Sequence, residues 1–594
     1  MKTAIAILLL PLLVVYNTSY NTNWVVAKPE PVKTAAPDTL VSPKKIAEQN
    51  FFGRVLDVSP PTIVGNFGEP RRLHFHTGLD FRTNQEEGHT VFAAGDGYVS
   101  RINVSAAGYG NALYITHPNG YVTAYGHLLR FNTRLMQRLR QEQYSKESFA
   151  VDFNLKPGEF PVKKGDTIAF SGNTGGSGGP HLHFEIRDTT EQVYNPMLFG
   201  YKLKDDLKPV VGYLKFYPLD ELKGRSDGYR TKVLSKNNEY EVTGGLVKVN
   251  ATKAGVSINT YDVLNLTDSH IGVYNITMFD GDKMLYEYQM DRIAFTDKRD
   301  VLSHTDYPIF TSESYRTFHK CFVEPGNHCP VYCSLDNSGI IDLNDDKPHD
   351  IRIEVSDFSG NVATVKFKLQ HDKASTLFKP RELKYDAVFN YDEENQFAND
   401  NVKMKIPLGC LFDNVYFKYS SALSTDPNVF SRVHELDNST TQVFDWYELS
   451  IKTEKLDPAL ADKAVVVFRD GNGATASRGG KPDNGFITCK AREFGTYYVR
   501  IDTTKPFIRS VNVVAGKNMR SSKKLVFKIS DNLSGVADFD TYIDDKWVVT
   551  DYDAKTATIF HVLDPSLSAG QHTFKIVVTD ERKNQAEYAI KFGM

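Results

Sequence analysis

The sequence predicts a mainly β protein that is divided into several domains. The chain has 594 residues, which is more than one hydrophobic core serves, so we expect three to five domains. It contains 31 Tyr and 37 Phe, and apolar and polar residues alternate in many short runs, a period that favours strands over helices. Turns rich in Asp, Asn and Gly separate these runs, especially in the second part of the chain.

The N-terminus is typical of a targeting segment. A single Lys follows Met1, and residues 4–15 form a nearly unbroken apolar run that is too short for an ordinary membrane span. We expect a signal peptide over residues 1–25, with an uncleaved anchor as the alternative. Residues 26–44 are rich in Pro, Lys and Thr and predict a flexible leader. The protein is then exported, to the periplasm, the cell envelope or the medium.

Charge and cysteine content narrow the classes of partner. The 70 basic and 73 acidic residues give a net charge of -3, without a basic run, which argues against nucleic-acid binding. No membrane span is expected beyond the N-terminal segment. Of five cysteines, Cys321, Cys329 and Cys333 cluster beside His319 and His328. A disulfide, free loop thiols or a second metal site are all open for this cluster.

Residues 45–203 predict a compact antiparallel β unit. Residues 111–117 and 121–127 flank a Pro-Asn-Gly turn, which is a strong hairpin signal. Residues 134–148 have helical composition with Leu135 and Leu139 four apart, so we expect one surface helix within the β unit.

The most informative stretch is residues 172–187, GNTGGSGGPHLHFEIR. A Gly-rich loop leads into an alternating strand, and alternation places His181 and His183 on the same face. Burying two unpaired imidazoles would cost several kcal/mol. We therefore expect these side chains to meet a metal ion, a substrate or both.

A second pair of candidate ligands lies upstream. His76 and Asp80 are four residues apart and share a face in a strand as well as in a helix. Together with His183 they form a set of two imidazoles and one carboxylate, which leaves a fourth position for water, as in catalytic zinc sites. Zinc lowers the pKa of its bound water to about 7 and polarises a carbonyl oxygen, so the predicted chemistry is hydrolysis of an amide.

Three further polar residues accompany this set. His127 ends the strand over residues 121–126, and His127 and His181 are the best candidates to move a proton or to hydrogen-bond the oxyanion. Glu185 shares the face of His181 and His183. It either supports a ligand His through a hydrogen bond or is a solvated charge outside the groove that would hold the substrate.

Three motifs occur in a fixed order: HTGLD at 76–80, YGHL at 125–128 and SGNTGGSGGPHLHFEIR at 171–187. They closely resemble those of lysostaphin-like (LytM-type) zinc endopeptidases, over residues 50–200. The resemblance implies that His76, Asp80 and His183 bind one Zn²⁺ and that His127 and His181 are the catalytic pair. It also implies a peptide of peptidoglycan as substrate. An insertion over residues 132–159 departs from the family pattern, so bond preference does not carry over.

The chain after residue 203 predicts about three β-sandwich modules, over residues 204–376, 377–505 and 506–594. An internal repeat supports this division, because a His, an Asp and an Asn recur at identical spacings. The two copies are His349, Asp357 and Asn361, and His572, Asp580 and Asn584. The modules resemble bacterial immunoglobulin-like domains. Three roles are open for them: to position the peptidase, to bind glycans or surface proteins, or to occlude the active-site groove.

These observations lead to one principal hypothesis and two alternatives. The first is an exported zinc metalloendopeptidase that cuts peptide bonds in peptidoglycan. The second is a non-catalytic or autoinhibited wall-binding scaffold that activates other hydrolases. The third is a secreted protease that acts on proteins.

Overall fold

We describe the protein from a computed structural model, over residues 40–220, 228–236, 239–313, 316–378 and 383–594. The predicted signal peptide and most of the predicted leader lie outside these residues. The fold is mainly β, as the sequence predicts. Within the described ranges, no helix has the length and apolar character needed to cross a membrane.

The N-terminal unit is an antiparallel sheet with a smaller sheet beside it. Its strands are β1 (Ile63–Gly65), β2 (Pro70–Arg71), β3 (His74–Phe75), β4 (Leu79–Arg82), β5 (Thr90–Phe92), β6 (Gly97–Val104), β7 (Asn111–Thr116), β8 (Tyr121–Gly126), β9 (Leu128–Phe131), β10 (Val151–Asn154), β11 (Pro161–Val162), β12 (Thr167–Ser171), β13 (His181–Asp188) and β14 (Gln192–Tyr194). The main sheet runs β1-β4-β13-β8-β7-β6-β10, and the smaller sheet runs β5-β12-β9.

Two helices belong to this unit, α1 (Pro43–Glu48) and α2 (Thr133–Lys146). Helix α2 confirms the helix expected over residues 134–148. Asn132 caps it by accepting a hydrogen bond from the Leu135 amide, and Leu135 and Leu139 are buried.

The next part of the chain forms a separate eleven-stranded sheet. Its strands are β15 (Val210–Pro218), β16 (Tyr229–Lys236), β17 (Glu239–Val249), β18 (Lys253–Tyr261), β19 (Asn275–Asp280), β20 (Lys283–Gln289), β22 (Phe318–Lys320), β23 (Tyr332–Leu335), β24 (Ile341–Asp342), β25 (His349–Ser356) and β26 (Val362–His371). Helices α3 (Val301–His304) and α4 (Tyr307–Ser312) lie in the same part of the chain. Strand β21 (Arg292–Ala294) does not belong to this sheet but pairs with β14 of the N-terminal sheet. The N-terminal unit is thereby tied to the next by backbone hydrogen bonds.

Two five-stranded sheets follow. Their strands are β28 (Asn395–Ala398), β29 (Val402–Ile406), β31 (Tyr419–Ala422), β32 (Val433–Leu436), β33 (Tyr447–Lys452), β34 (Ala464–Arg469), β35 (Thr475–Ser477), β36 (Lys481–Asp483), β37 (Phe486–Ala491) and β38 (Gly495–Ile501). Strands β27 (Ala387–Phe389) and β30 (Val415–Phe417) pair with each other in a separate two-stranded sheet. One sheet runs β28-β29-β33-β37-β36 and the other β31-β32-β38-β34-β35.

Two four-stranded sheets end the chain. Their strands are β39 (Phe507–Ser510), β40 (Lys524–Ser530), β41 (Val536–Ile543), β42 (Lys546–Trp547), β43 (Asp551–Asp553), β44 (Thr558–Val562), β45 (Gln571–Asp580) and β46 (Gln585–Gly593). They run β39-β40-β44-β43 and β42-β41-β45-β46. This last unit packs against helix α2, where Arg140 Nη2 lies 3.4 Å from Asp551 Oδ2 and the Tyr144 and Trp547 rings meet edge to face at 5.4 Å.

All five cysteines are free thiols, and Cys333 is the exposed member of its cluster. His319, beside Cys321, has its Nδ1 2.8 Å from Nε2 of His304. Among the described residues, the groups that could hold a metal ion do not include this cluster.

Candidate metal centre

The three predicted ligands meet at the pairing of β4 with β13. His183 and Asp80 are register partners across these two antiparallel strands, and His76 lies in the turn before β4. All three side chains are buried. Sheet register therefore joins two motifs that are about a hundred residues apart in the sequence.

The ligand atoms converge on one point. His76 Nε2 is 3.0 Å from Asp80 Oδ1 and 3.0 Å from His183 Nδ1, and His183 Nδ1 is 2.8 Å from Asp80 Oδ1. Tetrahedral zinc ligands, bound at about 2.0–2.1 Å, lie about 3.3 Å from one another. The set therefore fits zinc in donor type and needs only a small expansion to receive it.

Each ligand is oriented by a further hydrogen bond. His76 Nδ1 donates to the Asn66 carbonyl oxygen at 2.7 Å, and His183 Nε2 donates to Glu185 Oε1 at 2.8 Å. These acceptors leave the lone pairs of His76 Nε2 and His183 Nδ1 for a metal ion. Asp80 Oδ2 accepts a hydrogen bond from Arg71 Nη2 at 3.0 Å.

Glu185 is fully buried rather than solvated. Besides His183, it accepts hydrogen bonds from Thr77 Oγ1 and the Tyr109 hydroxyl, each at 2.6 Å, and it pairs with Arg187. Burial alone would raise the pKa of Glu185, but Arg187 and His183 outweigh it and hold that pKa well below its usual range. Of the two roles open for Glu185, the structure favours support of His183.

His127 and His181 lie beside the ligands, with their ring centroids 4.7 Å apart. His127 Nδ1 donates to the Thr174 carbonyl at 2.8 Å, and His181 Nδ1 donates to the Gly179 carbonyl at 2.8 Å. Both residues thus keep Nε2 as the atom that can accept a proton. His181 Nε2 lies 3.4 Å from Asp80 Oδ1.

The electrostatics of the centre keep His127 neutral. Burial, followed by the neighbouring His181 and His183, lowers the pKa of His127 well below its usual value. Burial also lowers the pKa of His76. For His183 burial acts in the same direction, but the hydrogen bonds with Asp80 and Glu185 outweigh it and raise the pKa to about 9.

Four residues of the centre are absent from the sequence prediction. Arg71 pairs with both Asp80 and Glu69, and burial raises the pKa of Glu69 to about 7. Tyr109 has its ring 5.1 Å from that of His183 and donates to Glu185. Asn66 supports His76. Asn66, Glu69 and Tyr109 lie between strands and Arg71 lies in the two-residue strand β2, so no periodic pattern indicates which of these side chains point inward.

The C-terminal units touch the rim of this centre. The Lys555 ammonium donates to the carbonyl oxygen of Asn173 in the Gly-rich loop. Arg72, next to Arg71, lies 3.9 Å from Asp470. Residues far along the chain therefore contact two of the segments that border the predicted groove.

A buried His-Asp-His set on an antiparallel sheet is an arrangement that could hold a metal ion. The model of peptidase family M23 matches residues 74–144 and 150–196, so this segment is similar to the M23 peptidases. A second model, of the Zu5-like domain, matches residues 386–502.

Similar proteins include DD-carboxypeptidase/endopeptidase Mpg of Neisseria meningitidis, 35% identical over 122 residues, 20% of this chain and 22% of the relative. Peptidoglycan DD-endopeptidase ShyC of Vibrio cholerae is 37% identical over 131 residues, 21% of this chain and 24% of the relative. A zinc-containing peptidase of Vibrio cholerae is similar in structure, with 29% identity, 26% and 40% of the two chains covered, and a TM-score of 0.19. The chain thus spans less than a quarter of either curated relative.

Proposed function

We propose that the protein is an exported zinc metalloendopeptidase that hydrolyses peptide bonds in the stem peptides or cross-links of peptidoglycan. The observation that carries this proposal is the convergence of His76, Asp80 and His183 within 3.0 Å, with His127 and His181 alongside. The family match and the peptidoglycan endopeptidases among the relatives support the reaction and the substrate class.

His76, Asp80 and His183 would hold one Zn²⁺. When bound, zinc supplies a water with a pKa near 7 and polarises the scissile carbonyl. Glu185 and Asn66 keep both ligand imidazoles in the tautomer that leaves a lone pair for the ion.

His127 and His181 would handle the proton and the developing charge. Their Nδ1 atoms are engaged by backbone carbonyls, so the reactive atom of each ring is Nε2. His127 is neutral because burial lowers its pKa, and a neutral imidazole accepts the proton of the attacking water. A protonated or N–H-bearing Nε2 would then hydrogen-bond the tetrahedral oxyanion or the leaving amine.

The autoinhibited alternative has one observation in its favour. Lys555 of the last unit contacts the Gly-rich loop, and Asp470 lies beside Arg72. In this alternative, these contacts would hold the peptidase in check in the isolated chain, and the C-terminal modules would contact glycans or surface proteins of the envelope.

The proposal is tested by digestion of purified peptidoglycan with the full chain, followed by mass spectrometry of the muropeptides. Parallel reactions contain casein, and others use His183→Ala and the control His270→Ala at an exposed position. New stem-peptide or cross-link products from the parent and the control, and none from His183→Ala, support the endopeptidase.

Cleavage of casein alone would move the function to a secreted protease. If neither substrate is cut, Lys555→Ala and Asp470→Ala distinguish the remaining possibilities. Products from these variants support the autoinhibited enzyme, whereas continued inactivity with zinc bound supports the scaffold.

A further inference from the structure

A second group of potential metal ligands lies at the junction between the N-terminal unit and the sheet that follows it. Asp205 belongs to the linker before β15, Asp262 follows β18, and Asp357 follows β25. One carboxylate oxygen from each lies within 4.8 Å of the others. We call this group the junction acidic site. Three like charges held so close repel one another, and burial adds the cost of removing them from water.

The protein supplies hydrogen-bond donors to part of this site, and no side-chain cation. Asn361 donates from its amide nitrogen and from Nδ2 to Asp357, at 2.9 and 2.7 Å. The Leu207 amide donates to Asp205 Oδ1 at 3.2 Å. Within the described ranges, no Lys, Arg or His forms an ion pair with the three carboxylates.

Asp262 is the least compensated member. Its residue is 2% exposed, yet its Oδ1 atom is buried without a hydrogen-bond partner. Burial, followed by the carboxylates of Asp357 and Asp205, raises the pKa of Asp262 to about 8. Buried polar atoms almost always have a partner. A buried carboxyl group that lies beside two other carboxylates and has one oxygen without a donor is the arrangement expected of a cation ligand.

The same arrangement recurs at the start of the last unit. Asp502, Asp531 and Asp580 also have oxygens within 4.8 Å of one another, and Asp531 Oδ1 is again buried without a partner. Asn584 donates to Asp580 from its amide nitrogen and from Nδ2, at 2.8 and 2.7 Å.

The two linkers match in sequence as well. Asp205 opens the sequence DDLKP and Asp502 opens DTTKP, so each acidic residue stands four positions before a proline. The conserved hydrogen bonds extend to these linkers, because Asn361 Nδ2 and Asn584 Nδ2 donate to the carbonyls of Asp205 and Asp502, at 3.5 and 2.9 Å. The chain therefore forms the same acidic arrangement twice, once before the second unit and once before the last unit.

We propose that the junction acidic site binds one Ca²⁺ through side-chain oxygens of Asp205, Asp262 and Asp357, and that the matching cluster of Asp502, Asp531 and Asp580 binds a second. Calcium takes oxygen ligands at about 2.3–2.6 Å, so ligand oxygens on one ion lie up to about 5 Å apart. An all-oxygen set without imidazole or thiolate suits this hard cation rather than zinc.

The position of the junction acidic site gives the ion a structural consequence. Asp205 comes from the linker before β15, whereas Asp262 and Asp357 follow strands of the next sheet. A bound ion would therefore hold the linker against that sheet. Asp205 and Asp262 also line a cavity with Asn66 of the N-terminal unit. Asn66 exchanges two side-chain hydrogen bonds with the Gly272 backbone, at 2.6 and 2.8 Å, while its own carbonyl orients His76. Calcium would thus stiffen the joint beside the metal centre.

The test is a calcium titration of the full mature chain with one equivalent of zinc already bound. Calorimetry and equilibrium dialysis measure the number of bound Ca²⁺ ions, and thermal unfolding is recorded with and without calcium. The variant is Asp262→Asn, and the matched control is Asp268→Asn, an exposed residue of the same loop. The parent and control are expected to bind two ions and to unfold at a higher temperature when calcium is present.

Asp262→Asn is expected to lose one of the two ions. Without calcium it should unfold at the same or a higher temperature than the parent, because a neutral Asn avoids the cost of placing a third carboxyl group beside Asp205 and Asp357. That behaviour separates loss of a ligand from misfolding. Retention of both ions by Asp262→Asn would overturn the junction acidic site, and Asp531→Asn tests the matching cluster in the same way.

Two further results would overturn the proposal. One is the absence of calcium uptake and of any thermal shift at about 10 mM, which is tenfold above the weakest range for extracellular calcium modules. The other is an equal response to Mg²⁺, which would mean a site without calcium selectivity.

Discussion

The metal centre and the junction acidic site both gather three ligand side chains, all buried in the first and two of them buried in the second, but they do so in different chemical settings. In the metal centre two imidazoles join one carboxylate, and Asn66, Glu185 and Arg71 each engage a ligand. In the junction acidic site all ligands are carboxylates, and one oxygen of Asp262 has no partner. The difference teaches that supporting hydrogen bonds, as well as ligand type, indicate which ion a site is built for.

The largest effect is expected from the two histidines that stand beside the ligands of the metal centre. His127 has a positive φ of 59°, a conformation that Asn adopts more readily than Ala, so the suitable variants are His127→Asn and His181→Ala. Both should retain zinc and lose about 10²–10⁴-fold in turnover. Muropeptide release and metal analysis measure the two properties separately, and metal-free protein would make these residues ligands instead.

A smaller effect is expected from the support of His183. Glu185→Gln keeps the shape of the side chain but weakens the acceptor that fixes the His183 tautomer, so zinc affinity should fall by about 10–100-fold. Competition with a zinc chelator measures the affinity, with the exposed Glu87→Gln as control. An unchanged zinc affinity would show that Glu185 positions Arg187 and Tyr109 rather than His183. Supporting hydrogen bonds would then no longer distinguish the metal centre from the junction acidic site.

A third test concerns Asn584, which supports the matching cluster of Asp502, Asp531 and Asp580. Its side chain donates to Asp580 and to the Asp502 carbonyl, so Asn584→Ala leaves both acceptors without this donor. We expect a loss of about 1–3 kcal/mol in the stability of the last unit. Denaturant unfolding in calcium-free buffer measures it against Asn532→Ala, an exposed neighbour of the cluster. Equal midpoints for the two variants would contradict the supporting role of Asn584.

The smallest effect concerns the histidine that opens the same repeat. The hydrogen bond with Asp544, at 2.6 Å, raises the pKa of His572. Because the folded-state pKa lies above the unfolded value, the pair contributes fully below about pH 6.5 and its contribution disappears as the pH rises through the folded-state pKa.

His572 is buried but Asp544 is about half exposed to solvent, which screens the pair, so Asp544→Asn should cost only about 0.2–1 kcal/mol at pH 5.5, and less at pH 9. Unfolding curves at both pH values measure the difference, with Asp545→Asn as control. A cost that is independent of pH would assign the effect to the backbone hydrogen bond from Thr573 instead.

The sequence predicts the mainly β fold and helix α2 because each of these depends on a short contiguous pattern. It predicts the set of residues that meets in the metal centre because their three motifs resemble those of a known family. Alternation along β13 places His181 and His183 together, and both approach Asp80. The sequence does not predict the roles of Arg71, Asn66 and Tyr109, because Asn66 and Tyr109 lie between strands and Arg71 lies in a strand of only two residues, too short to show alternation. The pairing of β14 with β21 was also beyond prediction, since it depends on how two units dock.

The contact between helix α2 and the last unit can form only late in the synthesis of the chain. Arg140 and Asp551 are 411 positions apart, and ribosomes add about 5–20 residues per second. The helix therefore emerges roughly 20–80 s before its partner has been synthesised. During that interval the helix face that carries Arg140 and Tyr144 lacks its partners Asp551 and Trp547. This face is covered only after the last unit has been synthesised and has folded.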